Sequence, residues 1–357
     1  MSYVMMGTRR TGGNRVIFEF ASKLAERGHV VEIVSVRNRR DPKCQDHTWF
    51  KFPKNVSIHY APFNLLAAAA NRYLPGIGSP KYAIKYANRL IGEIPPSDIV
   101  VATYCMTAFA VRSAKKGAKV YHAQHFEPLF FKDPNMQKIV EETYSLPLKK
   151  IANCSWLKSK LVAYDDSIEI IWPGIDHHIF RPISVSRDDD AFRIVALGKK
   201  TPWKGLRELF DAALLLKREI PQMKLILYGN EPNITAPVPY EYVANIKDED
   251  LAKLYASADV VVTPSWYESF PLPPLEAMAC GAPVVCTPVG TEDYAVDKRN
   301  CLIVPPQDPR KLADALLTLR NDPSLSNEIR KGGIITANNF QWENSVDQME
   351  RFFKGLL

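Results

Sequence analysis

The sequence predicts an α/β protein made of two doubly wound parallel-sheet halves. Three observations lead there. Short β-branched runs alternate with amphipathic stretches, which is the pattern of βαβ units. The alternation occurs twice, before and after "PGIDHHIFRPISVSRDDDAF" (Pro173–Phe192), a segment whose proline, serine and charge read as a hinge. Finally, 357 residues are more than one hydrophobic core usually holds.

Taken in order, "SYVMM" (Ser2–Met6) reads as a buried strand. "NRVIFEFASKLAERG" (Asn14–Gly28) has helical apolar spacing at Val16, Phe20 and Leu24, with Gly28 as its stop. "VVEIVSV" (Val30–Val36) completes the first βαβ unit. "DIVVATY" (Asp98–Tyr104), "AKVYHAQ" (Ala118–Gln124) and "KKIANC" (Lys149–Cys154) extend the same sheet. In the second half, strands are expected at "FRIVALG" (Phe192–Gly198), "MKLILYG" (Met223–Gly229), "DVVVTPS" (Asp259–Ser265) and "APVVCTP" (Ala282–Pro288). Helices fall at "GLRELFDAALLLKREI" (Gly205–Ile220) and "DEDLAKLYASA" (Asp248–Ala258).

Composition sets limits on function. With 46% hydrophobic and 24% charged residues the usage is that of a globular protein. No run of 18 or more uncharged apolar residues exists to span a bilayer. "MSYVMMGTRR" does not read as a signal peptide, and the six scattered cysteines (Cys44, Cys105, Cys154, Cys280, Cys286, Cys301) form no C-x-x-C pair. Reduced thiols in a cytoplasmic protein are the expectation. The net charge of +7 is uneven: +11 over residues 1–183 and −4 over the rest. An anionic ligand or surface facing the first half would explain that split.

Ligands of an open α/β sheet bind beyond the carboxyl ends of its strands. Three turns there carry chemistry. "GTRRTGGNR" (Gly7–Arg15) lets backbone approach an anion through Gly12 and Gly13, although it lacks the dinucleotide fingerprint. "GKKTPWKG" (Gly198–Gly205) sets Lys199 and Lys204 on a turn that opens a helix, without the Walker pattern. "ESFPLPPLEAMACG" (Glu268–Gly281) puts Glu268 on a loop, and Pro271, Pro273 and Pro274 are expected to hold the chain extended ahead of a helix near Leu275. Glu276 then falls in that helix's first turn and Gly281 ends it. Capping accounts for one acid near a helix start but not for a second one upstream.

"ESFPLPPLEAMACGAPVV" resembles the E-x7-E signature of retaining, nucleotide-sugar-dependent glycosyltransferases of the family 4 type. The likeness extends through the "GGNRVIFEFASKLAERGHVVEIVS" entry, "GKKTPWKG", "DEDLAKLYASADVVVTPS" and "GTEDYAVDKRNCLIVPPQDPRKLADAL". It implies a GT-B fold, with two Rossmann-like domains facing a central cleft. The domains would be an acceptor-side domain over residues 1–182, a donor-binding domain over 183–338, and a last helix, 339–357, crossing back to the first. It also implies site roles. Glu268 would bind hydroxyls of the donor sugar and Glu276 the ribose. Lys199 and Lys204 would neutralise the pyrophosphate in place of a metal ion. Gly12 and Gly13 would meet the phosphates from the first domain. His125 would lie near the reacting carbon, and donor contact would extend to Phe270, Pro271 and Leu272. Two departures bear on the donor. Lysine stands at 199 where arginine is common, and Pro271 replaces a common glycine and so removes an N–H.

The implied reaction is metal-independent sugar transfer, with retention, from a UDP- or GDP-linked donor to a glycan or lipid-linked acceptor, with no separate cofactor. An epimerase of the same fold, or a non-catalytic nucleotide-sugar-binding subunit, is the alternative. His122 and His125 form H-x-x-H and His177–His178 a pair, but no further ligands at zinc spacing accompany them. "DDD" (Asp188–Asp190) reads as a solvated charge run. "RNRRDPK" (Arg37–Lys43), "NLLAAAANRYLPGIGSPKYAIKYANRL" (Asn64–Leu90) and "FEPLFFK" (Phe126–Lys132) mix cations with apolar residues. They suggest a peripheral contact with the inner face of an anionic membrane rather than with nucleic acid.

Overall fold

A computed structural model describes residues 1–36, 45–61, 89–231 and 233–357. It divides into two compact units, Met1–Trp172 together with Glu343–Leu357, and Pro173–Trp342. Cys44, Arg37–Lys43 and all of Asn64–Leu90 except Arg89 and Leu90 lie outside the described residues.

The first unit holds a seven-stranded, all-parallel sheet in the order β3-β2-β1-β4-β5-β6-β7. Its strands are β1 (Ser2–Met5), β2 (Val31–Val36), β3 (Val56–Ala61), β4 (Ile99–Ala102), β5 (Ala118–Ala123), β6 (Lys149–Ala152) and β7 (Ile168–Ile170). The inner strands are buried on both faces, as parallel strands between helices must be, which is why they read as continuous apolar runs. β3 at the edge is half-exposed and alternating, and β7 is three residues long. Neither is among the predicted strands.

The first helix runs Gly12–Glu26, starting two residues ahead of the expected Asn14. Thr11 is its N-cap, with the hydroxyl accepting from Asn14 N at 3.2 Å. Gly12 and Gly13 are therefore helical residues of the first turn rather than a loop before it. The C-terminal helix Trp342–Lys354 belongs with this unit from Glu343 onward. Val346, Met349 and Phe353 form its buried stripe. Beside that stripe Lys23 pairs with Glu343 (3.3 Å), Arg27 with Asp347 (2.6 Å) and Glu350 (3.1 Å), and His29 Nε2 with Glu350 (2.6 Å).

The second unit holds a six-stranded parallel sheet in the order β10-β9-β8-β11-β12-β13. Its strands are β8 (Phe192–Leu197), β9 (Met223–Gly229), β10 (Glu241–Ala244), β11 (Val260–Thr263), β12 (Val284–Cys286) and β13 (Leu302–Ile303). Ile194, Ala196, Leu209, Leu227, Val262, Val285 and Leu316 lie in one continuous core. The unit begins at Pro173, ahead of the expected division at 182/183. Ile175 N–H donates to Phe340 O at 2.9 Å, and Phe180 is fully buried beside the ring of Tyr255 (6.3 Å). The "DDD" run is solvated as expected, with Asp188 and Asp190 exposed and Asp189 partly so; Asp188 and Asp189 pair with Arg193 at 3.2 and 3.0 Å, and Asp189 also with Lys224 at 3.6 Å.

In each sheet the strand order reverses once, between β1 and β4 in the first unit and between β8 and β11 in the second. Such a reversal leaves a crevice beyond the carboxyl ends of the two strands. The loops there are 198–205 after β8 and 264–271 after β11 in the second unit. In the first unit they are 6–11 after β1 and 103–104 after β4.

Candidate functional site

The second unit's reversal point joins two of the sequence-predicted loops. After β8 the chain makes a 3-10 turn, Pro202–Lys204, and enters the helix Leu206–Leu216 through Gly205 at φ +70. A Cβ at Gly205 would collide with the carbonyl of Pro264, so only glycine lets the turn lie on the loop after β11. Trp203 stacks on Tyr267 with centroids 5.8 Å apart and planes 17° apart. Trp266 N–H donates to Trp203 O (2.7 Å) and Trp266 Nε1 to Glu208 (2.9 Å).

This clasp brings Lys204 Nζ to Glu268 Oε1 at 2.5 Å, and the Ser265 hydroxyl donates to the same oxygen at 2.8 Å. From behind, Thr287 donates to Ser265 O at 2.5 Å. Gly290, at φ +87, packs so closely under Glu268 that a Cβ there would strike the Glu268 carbonyl.

Lys199 turns elsewhere. Its Nζ is 3.1 Å from Glu231 Oε1, and the Lys200 N–H donates to Glu231 Oε2 at 2.8 Å. Burial alone would raise the Glu231 carboxyl; the Lys200 N–H and the Lys199 ammonium outweigh it and hold the group below the usual range. The Glu231 N–H in turn donates to Tyr242 OH at 2.8 Å.

The prolines after Glu268 act differently from the expectation. Pro271 is the N-cap of a helix that runs Leu272–Ala279, so Pro273 and Pro274 are helical residues. First-turn N–H groups have no acceptor within the helix, so proline costs nothing there. Glu276 consequently sits in the second turn, not the first. It is 6% exposed, and its charge bears on Tyr228, Tyr255 and Cys280. Burial, then that carboxylate, push the Cys280 thiol up to about 12. Phe270 is buried against Tyr294 and Phe340, and the Pro271 carbonyl accepts from Tyr294 OH at 2.9 Å. Leu272 opens the helix, and Gly281 follows its end with φ +79.

In the first unit a Cβ on Gly13 would lie 3.3 Å from Gln124 Oε1, which places the residue before His125 against the start of the first helix. Gln124 Oε1 is buried without a partner among the described residues. The His125 ring lies 4.7 Å from Phe130 and 5.9 Å from Trp156. His122 is wholly buried on β5, 2.9 Å from Asn153 Oδ1, and burial pushes it down to about 4 although that contact works the other way. Among the described residues no group of three or more His, Cys, Asp or Glu side chains could hold a metal.

Two residues from His125, Glu127 is 1% exposed. Its Oε2 accepts from Cys105 N–H (2.6 Å) and Tyr121 OH (3.0 Å), and its own N–H donates to Tyr144 OH (2.9 Å). Burial pushes this carboxyl up to about 7 against the hydrogen bonds from Cys105 and Tyr121. Sequence reasoning did not single out Glu127, Gln124, Glu231, Ser265 or the Trp203–Tyr267 stack. Only the position of Gln124 and Glu127 just past a strand could have flagged them, because their partners are far away in the chain.

Comparison with known proteins agrees with this architecture. Residues 10–178 match the family model "Glycosyltransferase Family 4", and residues 191–322 match "Glycosyl transferases group 1". The chain is 27% identical to a D-inositol 3-phosphate glycosyltransferase of Pseudarthrobacter chlorophenolicus, over 95% of this chain and 89% of that one. Its fold is similar to sucrose-phosphate synthase from Thermosynechococcus elongatus, with a TM-score of 0.81, 18% identity, and 99% and 98% of the two chains covered. It is similar too to the Anabaena protein HepE in complex with UDP-glucose, with a TM-score of 0.75, 17% identity, and 99% of each chain covered. The two family matches between them take in most of the sequence, and the chain belongs to the family 4 type of glycosyltransferase, built on the GT-B fold.

Proposed function

We propose that the protein moves a sugar from a nucleotide-sugar donor to an acceptor hydroxyl with retention at the anomeric carbon and without a metal ion. The observation that carries this reading is the contact of Lys204 with Glu268 at the reversal point of the second sheet, with Glu276 on the helix that follows. An ammonium at that place suits the charge that develops on a departing diphosphate. A carboxylate beside it suits the hydroxyls of the sugar being transferred. Glu276 is assigned to the ribose, Lys199 to the diphosphate after release from Glu231, and Phe270, Pro271 and Leu272 to the donor's flank. The family pattern assigns phosphate contact to Gly12 and Gly13 and the reacting carbon to His125. With no protein nucleophile in this set, the acceptor attacks on the face the diphosphate leaves, and a phosphate oxygen takes its proton.

The donor is UDP- or GDP-linked. HepE's complex with UDP-glucose makes a uridine donor the first to try. The acceptor is a glycan or lipid-linked glycan. The +11 charge of residues 1–183 suits an anionic acceptor or a peripheral contact at the cytoplasmic face of a membrane. In that half Leu129 and Phe130 are exposed, and no helix among the described residues is long and apolar enough to cross a bilayer.

A thermal-shift panel of nucleotide sugars tests the reading, since a ligand that binds only the folded state raises its melting temperature. One nucleotide sugar should shift it strongly, and Lys204→Ala and Glu276→Ala should each lose that shift. His125→Ala should keep the shift but lose turnover. A panel with no response removes the proposal.

A further inference from the structure

Lys204 and Glu268 can each serve the donor only by letting go of the other. An ammonium 2.5 Å from a carboxylate already has a counter-ion, and a diphosphate must take its place. Once the diphosphate holds Lys204, the Glu268 carboxylate stands beside like charge and needs new hydrogen-bond donors. An intact nucleotide sugar brings such donors in its hydroxyls. A nucleoside diphosphate has lost those sugar hydroxyls, and its ribose hydroxyls are assigned to Glu276.

Resting on the function proposed above, we propose that Glu268 competes with the diphosphate for Lys204, and that its return to Lys204 after sugar transfer drives the product off. The backbone is suited to such an exchange. Gly205 locks the Lys204 turn against Pro264, while Thr287 and Gly290 hold the chain at Ser265 and Glu268 from behind. Only side-chain torsions have to change. The Ser265 hydroxyl, 2.8 Å from the carboxylate, holds Glu268 in the position that faces Lys204. Lys199 must likewise leave Glu231 for the diphosphate, but Glu231 is assigned no contact with the sugar, so that exchange does not separate donor from product. Glu268 thus gives the site a preference for donor over product that does not depend on recognising the base.

Titration of UDP, GDP and ADP, with the matching nucleosides as uncharged controls, tests this. Glu268→Gln keeps the shape and removes the competing charge. It should bind the diphosphate about tenfold tighter, since one half-buried charge-assisted contact no longer has to be broken. The nucleoside should bind unchanged, and turnover should become limited by product inhibition. In a Lys204→Ala background the same substitution should have no effect on diphosphate binding, closing a double-mutant cycle. Ser265→Ala retains both charges and should tighten the diphosphate by about threefold or more, as the hydroxyl's hydrogen bond to the carboxylate is lost. If none of the three diphosphates binds the unaltered protein, the proposed function fails. If one binds, and Glu268→Gln fails to tighten it or tightens it equally without Lys204, the exchange is wrong.

Discussion

Replacing Glu127 by glutamine should make the protein's stability respond to pH in a way that isolates this one group. Its carboxyl is raised from 4.5 to about 7 because it is enclosed among Cys105, Tyr121 and Tyr144. The folded state therefore holds that proton about 3 kcal/mol more tightly than the unfolded chain does. For an acid raised on folding, the stabilising contribution is fully present below pH 4.5 and is lost as the pH climbs through 7. Glutamine keeps the acceptor oxygen for Cys105 and Tyr121 and carries no charge at any pH. The variant should thus gain on the unaltered protein by about 3 kcal/mol between about pH 4.5 and about pH 8.5. Urea unfolding of both proteins across that range measures the difference, in which every other titrating group cancels. His122 makes the comparison necessary. Burial lowers it from 6.5 to about 4, so its contribution is present above 6.5 and lost as the pH falls, opposite in sign to that of Glu127. A stability difference that stays constant with pH would show that Glu127 is not held in an environment hostile to its charge.

Two further substitutions probe the frame around the site and the last helix. Gly290→Ala places a Cβ against the Glu268 carbonyl at φ +87 and should destabilise the second unit by about 2 kcal/mol or more, read as a fall in its melting temperature. A change within about 1 °C would refute the packing argument. Glu350→Gln removes the common partner of Arg27 and His29 and should speed amide hydrogen exchange in the helix Trp342–Lys354, with a loss of about 1 kcal/mol. Unchanged exchange would mean that the apolar stripe through Val346, Met349 and Phe353 holds the helix alone.

The alternation of apolar strands and amphipathic helices was legible because the inner strands are buried on both faces and helices such as Gly12–Glu26 and Leu206–Leu216 mainly on one, so local composition carries the pattern. The helix stops at Gly28 and Gly281 were legible for a backbone reason, and both have positive φ. β3, β7, β10 and β13 were not: all four are edge strands, half-exposed or cut to two or three residues, and lack the continuous apolar run of an inner strand. Pro273 and Pro274 misled because proline breaks a helix everywhere except in its first turn, and only the observed N-cap at Pro271 tells which case applies.

Lys204 and Glu268 could each be picked from the sequence, and so could Lys199 and Glu276. Their pairing could not. Lys204 meets Glu268 because β8 and β11 are neighbours at the reversal of the sheet, while Lys199 meets Glu231 from the end of β9 on the other side. The sequence alone determined which residue types stand at the ends of the strands, because strand ends follow from local periodicity. Strand order decided which of those ends touch, and hence which lysine has the sugar-side carboxylate as its partner, because order is set by burial summed over the whole sheet.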